Sequence, residues 1–528
     1  MILNKIKTTA ICASLFAAVS CTSDFNDINT NPTGFTNQQL TQDFNDIRSP
    51  FTSMFTGIFN TLHWKYQLQQ NLSADIWSGY MATPTPFKGL SGDNSNYNLV
   101  DGWNTYIWDL PYVDVMANSL KVEQRTKDLQ KFPEFYAVSL ILKVETVNRL
   151  TDVFGPVVYS KFGSTELTVP YDSQQDVYTK MFAELDSAVD ALTSSVNAGN
   201  KSLFAPIDMT AYGGDYKQWV KYANSLRLRL AMRIVKVNPT LAKTQAEKAV
   251  NHPFGVLTTN ADIAKVIIPN YIDPILTITN AWGDIRMSAD MESIMGGYND
   301  PRLSNYFNES ADFPGQYRGI RTGINIVAKS DRTGMSEIGA VVGSSEKVLM
   351  TTAEVYFLRA EGALRGWNMG GTAQNLYETG ITTSFAQHGS PGAAAYIADN
   401  VKMAKDFVDV KDATNNATAV NNVTVAWSEA LGNEVKLQKI ITQKWIANFP
   451  EGQEAWSEYR RTGYPKLFRI VYNTSGGAIT TASGVRRVNF PQSEKAGNPG
   501  GVATGVAALG GPDNGGTRLW WDTTGPNF

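Results

Sequence analysis

Apolar residues recur three and four places apart along most of this chain, the pattern of helices that bury one face. Trp103, Ile107, Leu110, Ala117 and Leu120 keep one such face. Val138, Ile141 and Leu142 keep a second, ended by Phe154-Gly155-Pro156, because glycine accepts the left-handed turn of a helix stop and proline cannot prolong a helix. Val177, Met181, Leu185, Ala188 and Leu192 predict a third helix, and Trp219, Tyr222, Leu226, Leu230 and Ile234 a fourth. Ala353, Phe357, Ala360 and Leu364, stopped by Gly366, predict a fifth; Leu437, Ile441 and Trp445 predict a sixth. Several fall in pairs of helix-turn-helix size, as tetratricopeptide repeats do. Between them lie stretches rich in Gly, Pro, Asn and Asp at 83–102, 268–290, 308–346 and 470–528, the last nearly without helical pattern. Long loops on a rigid scaffold often carry binding surfaces. The expected fold is mostly α, a helical scaffold bearing large loops.

Residues 1–20 follow a different pattern and read as a lipoprotein signal peptide. Lys5 and Lys7 precede an apolar run from Thr8 to Val19. The run falls short of the roughly 20 residues of a membrane span and suits a secretory signal. Ala18-Val19-Ser20-Cys21 then sets small residues before a cysteine, with Ala18 where lipoprotein sites usually carry Leu. Cys21 is the expected lipidation site. Cleavage there removes Cys12 and leaves no pair for a disulfide or a cysteine metal site. Residues 21–45 are expected as a lipid-anchored tether and 46–528 as a single domain. The membrane is met through the lipid anchor only.

Composition narrows the chemistry. A net charge of −3 with no basic run argues against nucleic acid. The three histidines, His63, His252 and His388, are far apart and lack HExxH spacing. There is no GxSxG elbow, phosphate loop or Rossmann fingerprint. Asp93 to Asp101 alternates oxygen-bearing side chains but lacks the late Glu of an EF-hand loop. No catalytic residue, metal or cofactor is expected. Aromatics carry the signal: 12 Trp, 22 Tyr and 24 Phe make up 11% of the chain. Many must fill the core, but flat rings also stack on sugar faces and so bind glycans without charge.

Several phrases carry a family resemblance. Asp24-Phe25-Asn26-Asp27-Ile28-Asn29-Thr30-Asn31-Pro32 follows the lipid cysteine, and Asn71-Leu72-Ser73-Ala74-Asp75-Ile76-Trp77-Ser78-Gly79-Tyr80 comes next. Asp152-Val153-Phe154-Gly155-Pro156, Asn299-Asp300-Pro301-Arg302-Leu303 and the stretch Thr352 to Glu361 continue the series. Gln443-Lys444-Trp445-Ile446-Ala447-Asn448-Phe449 runs on to Glu454-Ala455-Trp456 and Tyr459 to Pro465. Arg487, Phe490-Pro491, Glu494 and Trp520-Trp521-Asp522 close it. In this order the phrases resemble the SusD/RagB nutrient-binding lipoproteins. The resemblance implies a SusD-like fold, with tetratricopeptide-type helix pairs supporting a large irregular, loop-built ligand face. It also implies an outer-membrane lipoprotein, exposed at the cell surface. Such a protein captures oligosaccharide, or peptide in the RagB branch, for a SusC-like TonB-dependent barrel transporter.

The expected ligand residues are Trp77, Tyr80 and Tyr97, with Asn94 and Asn96 for hydrogen bonds to sugar hydroxyls. Tyr271, Trp282, Asp284 and Arg286 join them from a second loop. For each ring the competing reading is core packing, and Trp103 and Tyr106, on a helical face, are assigned to the core. Glu454, Arg460 and Arg461 are read as scaffold charges, buried in pairs. The leading function is glycan capture without catalysis. A peptide receptor on the same fold and a helical glycoside hydrolase stay open as alternatives.

Overall fold

The computed structural model describes residues 44–127 and 131–528. Cys21, the signal and all but the last two residues of the expected tether lie outside them. The chain divides into two compact units, Met1–Ser49 and Pro50–Phe528. The first enters the description only through the start of α1 (Asn45–Gly57). The second is built on α2 (Asp101–Leu110), α3 (Pro133–Phe154), α4 (Gln174–Asn197), α5 (Tyr216–Arg233) and α6 (Pro239–Val250). It continues with α7 (Thr352–Leu364), α8 (Ala373–Gln387), α9 (Asn433–Ala447) and α10 (Gly452–Thr462). Successive helices stack: α3 on α4, α4 on α5, α5 on α6, and α7 on α8, with α7 also touching α5 and α9. Among the described residues no helix is long and apolar enough to cross a membrane.

α4 forms as its spacing predicts. Ser173 caps it by accepting from the Asp176 N–H (3.2 Å), and Val177, Met181, Leu185, Ala188 and Leu192 are all buried. α5 lies deeper, with every residue from Tyr222 to Arg233 buried, so its arginines need partners inside the protein. Arg229 donates to Glu354 (2.8 Å) and to Glu145 (3.2 Å). Arg233 pairs with Glu454 and Glu458 (2.5 and 2.6 Å). Lys444 reaches Glu454 (2.7 Å), and Arg461 joins Glu361 to Glu458 (2.7 Å each). Burial alone would raise the Glu458 carboxyl, but Arg461, Lys444 and Arg233 hold it well below the usual glutamate range. Trp456 and Arg460 are buried beside this lattice.

Three departures from the sequence pattern have local causes. The helix expected from Trp103 through Leu120 ends at Leu110, and a π-helical turn, Pro111–Met116, precedes Ala117–Arg125. Pro111 lacks an N–H, and the widened turn accommodates it. The segment 470–528 holds two helices, Gln492–Gly497 and Pro499–Leu509. The second is made of small residues and so shows no apolar stripe. Its glycines permit close contact: a Cβ at Gly501 would come 2.1 Å from the Val169 carbonyl oxygen, and one at Gly505 would come 2.5 Å from the Tyr171 ring. Finally, two small antiparallel sheets cross the loop regions. β2 (Ala264–Ile272) pairs with β4 (Ser344–Met350), and β1 (Met81–Ala82) pairs with β3 (Arg286–Met287). The β1–β3 ladder, with Met81 opposite Met287, ties together the two loop segments expected to meet.

Candidate functional site

Most of the expected ligand residues are interior. Trp77 is buried, its indole N–H donates to the Asn94 carbonyl (2.9 Å) and its ring packs on Trp456 (4.8 Å). Asn94 is a clamp: its amide donates to the Leu72 carbonyl and to Asn104 (both 2.9 Å), and it accepts from the Val100 N–H (2.9 Å). With its hydrogen bonds spent internally it cannot serve a sugar. Tyr80 is fully buried against Trp445 and Phe449. Tyr97, in a left-handed turn with φ of 65°, lines the same interior seam as Trp77 and Trp456. Tyr271 is buried on β2, where burial and then the Asp273 charge push its hydroxyl up. Arg286 is buried as well, donating to the carbonyls of Thr333 (2.7 Å) and Thr279 (2.9 Å) and pairing with Glu337 (3.0 Å). Asn96 is half-buried and donates to the Tyr472 carbonyl (3.2 Å).

Trp282 stands differently, and Asp284 is buried beneath it. Trp282 is half-buried and stacks on His63, with ring centres 5.1 Å apart and planes 18° from parallel. The neighbouring Trp64 is 42% exposed, and Tyr106 meets it edge-on at 5.5 Å. One helical turn back on α2, Trp103 meets Phe87 edge-on at 5.4 Å. His63, Tyr106, Trp103 and Phe87 are all half-buried. Asp284 closes the circuit. It accepts from Gln67 (3.0 Å), from the Thr85 hydroxyl (2.7 Å) and from Lys329 (2.6 Å), and Lys329 also donates to the Trp282 carbonyl. Ammonium groups sit over two of the rings, Lys65 near Trp64 (5.7 Å) and Lys88 near Trp103 (5.9 Å).

The result is three pairs of partly exposed rings beside a polar node, two of them edge to face and one, His63 on Trp282, stacked. Edge-to-face contacts fix ring orientation while leaving faces open. Such a surface suits a neutral ligand with flat apolar faces and hydroxyl edges. Among the described residues no cluster of three or more His, Cys, Asp or Glu side chains could hold a metal ion.

A family model described as the SusD-like, SusD and RagB outer membrane lipoproteins matches residues 27–522. The chain belongs to the SusD-like family. A solved chitin-binding SusD homolog from Flavobacterium johnsoniae is 62% identical, with 91% of this chain and 100% of that one covered and a TM-score of 0.90. SusD homologs from Bacteroides vulgatus and Bacteroides uniformis are 37% and 36% identical, with TM-scores of 0.87 and 0.82. The first covers 92% of this chain and 100% of its own, the second 91% and 99%. No curated protein matches the chain.

Against this SusD-like background two of the phrases that carried the resemblance, Thr352 to Glu361 and Gln443 to Pro465, supply the scaffold charges: Glu354, Glu361, Lys444, Glu454 and Arg461 all belong to the buried lattice, while Asp24 to Pro32 lies outside the described residues. The ring residues His63 and Trp64 were not among the expected ligand residues. Their signal was an aromatic pair flanked by Leu62, 48% exposed, and Lys65, at the start of the short helix His63–Tyr66. Trp103 and Tyr106 were assigned to the core, but only Ile107, Trp108 and Leu110 of that helix are buried rings or aliphatics.

Proposed function

We propose that this SusD-like protein is a lipid-anchored receptor on the outer-membrane surface. It binds chitin-type oligosaccharides, chains of β-linked N-acetylglucosamine, and passes them to a SusC-like TonB-dependent barrel without cleaving them. The aromatic circuit of His63, Trp64, Phe87, Trp103, Tyr106 and Trp282 carries this reading. A β-linked glucosamine unit holds its substituents equatorial, so both ring faces are apolar C–H surfaces that match an open indole. Thr85 and Lys329, at the Asp284 node, stand at the edge where hydroxyl and acetamide oxygens would lie. The chitin-binding relative at 62% identity favours this glycan over a peptide.

Calorimetry with N-acetylchitohexaose tests the reading. A shallow surface of this kind gives micromolar to millimolar affinity, roughly 4–8 kcal/mol. Trp282→Ala and Trp64→Ala should each remove a large share of it with the thermal transition unchanged. Parent-like binding by both variants would move the site elsewhere, and preferential binding of a peptide pool would favour the RagB-type reading. Cys21→Ser should release the protein from the membrane or leave its precursor unprocessed.

A further inference from the structure

A cavity of about 460 Å³ shares no lining residue with the aromatic circuit. Trp108 and Tyr112 line one side, Phe162 and Val158 another, and Glu494 of the helix Gln492–Gly497 a third. Tyr112 and Phe162 stack with centres 5.5 Å apart and planes 24° from parallel. The Tyr112 hydroxyl donates to the Val158 carbonyl (3.1 Å) and accepts from the Val158 N–H (3.0 Å), which holds the ring in place. Val113 and Leu167 also line the cavity, and they are 63% and 99% exposed.

The charge of the lining is lopsided. Asp109, Glu166 and Glu494 face a single ammonium, Lys161. Tyr171 donates to one oxygen of Glu494 (2.6 Å) and so orients that carboxylate. Asp109 has no hydrogen bond or ion pair to its side chain among the described residues. Partial burial, and then the Glu494 charge, push its carboxyl above the usual aspartate range. Two like charges beside an apolar aromatic wall are relieved by a cation, and the wall asks that the cation be carried on a flat apolar body.

We propose that this cavity binds an amino sugar with a free ammonium group, a deacetylated glucosamine unit, its ring on the Tyr112–Phe162 wall and its nitrogen between Asp109 and Glu494. The choice of a sugar over other cations rests on the glycan reading above. N-acetylation removes the charge, so this cavity prefers the unit that the aromatic circuit does not require. A lysine from a protein partner would lack a flat face for the wall, and an arginine, whose guanidinium is flat, would lack the hydroxyl-bearing ring.

Full-length protein is titrated calorimetrically with a fully deacetylated glucosamine tetramer and with the N-acetylated tetramer. The parent should bind both. Asp109→Asn combined with Glu494→Gln should weaken the deacetylated tetramer by about tenfold or more and leave the acetylated one unchanged. Asp109→Asn alone should give an intermediate loss, and added salt should weaken only the deacetylated ligand. Trp282→Ala should show the reverse selectivity. The proposal falls if the double variant, with a parent-like thermal transition, binds the deacetylated tetramer as the parent does. It also falls if Trp282→Ala, instead of the acidic pair, abolishes that binding; the glycan reading then survives. If the parent binds neither tetramer, both readings fall. A double variant that keeps the tetramer but no longer co-purifies with a barrel transporter would assign the cavity to a protein partner and overturn the proposal.

Discussion

Arg233 in the helical scaffold and Trp282 on the loop-built face hold their neighbours on opposite terms. Arg233 is buried, with two glutamates within 2.6 Å and Asp152 at 3.1 Å. Trp282 has one face on His63 and remains half-buried. In the lattice the strong donors and acceptors are committed to one another, so the region holds shape and has little left to offer a ligand. In the circuit Trp64 and Trp103 are held by edge contacts and Trp282 by one face, and the rings keep contact capacity that the protein does not fill. Rigidity and exposed apolar surface are thus separated in space: charge pairs set the frame, and the half-buried rings lie apart from them.

Removing Arg461 attacks the frame hardest. Arg461→Ala leaves Glu361 and Glu458 buried without their shared cation, and chemical denaturation should show a loss of about 3–5 kcal/mol. Trp77→Ala empties an interior position beside Trp456, so its cost of about 3 kcal/mol or more should appear in the same measurement. Parent-like stability with lost glycan binding would return Trp77 to the ligand face.

Asp290 tests a buried carboxyl with no ion pair among the described residues. Burial pushes its carboxyl up to about 7, against the Phe468 N–H (2.7 Å) and the field of Arg321. Its folded value exceeds its unfolded one. The stability it lends is therefore complete below about pH 4 and is lost as pH rises through about 7. Asp290→Asn keeps an acceptor for Phe468 and should gain on the parent by about 3–4 kcal/mol between pH 4 and 8, read from denaturation at each pH. A parallel pair of pH profiles would overturn that assignment.

Trp64→Ala should move binding and leave the frame alone. Glycan affinity should fall by about 1–3 kcal/mol, with stability within about 0.5 kcal/mol of the parent. Lys88→Ala should have the smallest effect. Its ammonium lies 5.9 Å from the Trp103 ring, and its removal should cost about 0.5 kcal/mol of binding or less.

The frame was readable in the chain because helix burial repeats with a fixed period. The stripe from Val177 to Leu192 predicts α4, and the phrases around Trp445 and Arg461 carry the family resemblance because many charges there must match at once. The helix Pro499–Leu509 was not readable, since glycines and alanines make no stripe and are ordered by the surfaces they approach. The proposed ligand face was only partly readable. Trp77 and Trp282 both stand near turn-rich stretches, and composition cannot say which way a ring faces. Asn94 decides for Trp77 by drawing its loop over the indole, while the β1–β3 ladder brings the Trp282 segment alongside. Both are contacts between distant stretches, invisible to any local pattern.

Asp284 binds partners 217, 199 and 45 positions away in the chain. No fragment that lacks one of those stretches can assemble this node, so its formation requires the chain from Gln67 through Lys329. The same arrangement constrains how the node can change: an alteration must be matched in several separate stretches that answer to one carboxylate, and recombination that exchanges only one of them would deliver a mismatched set.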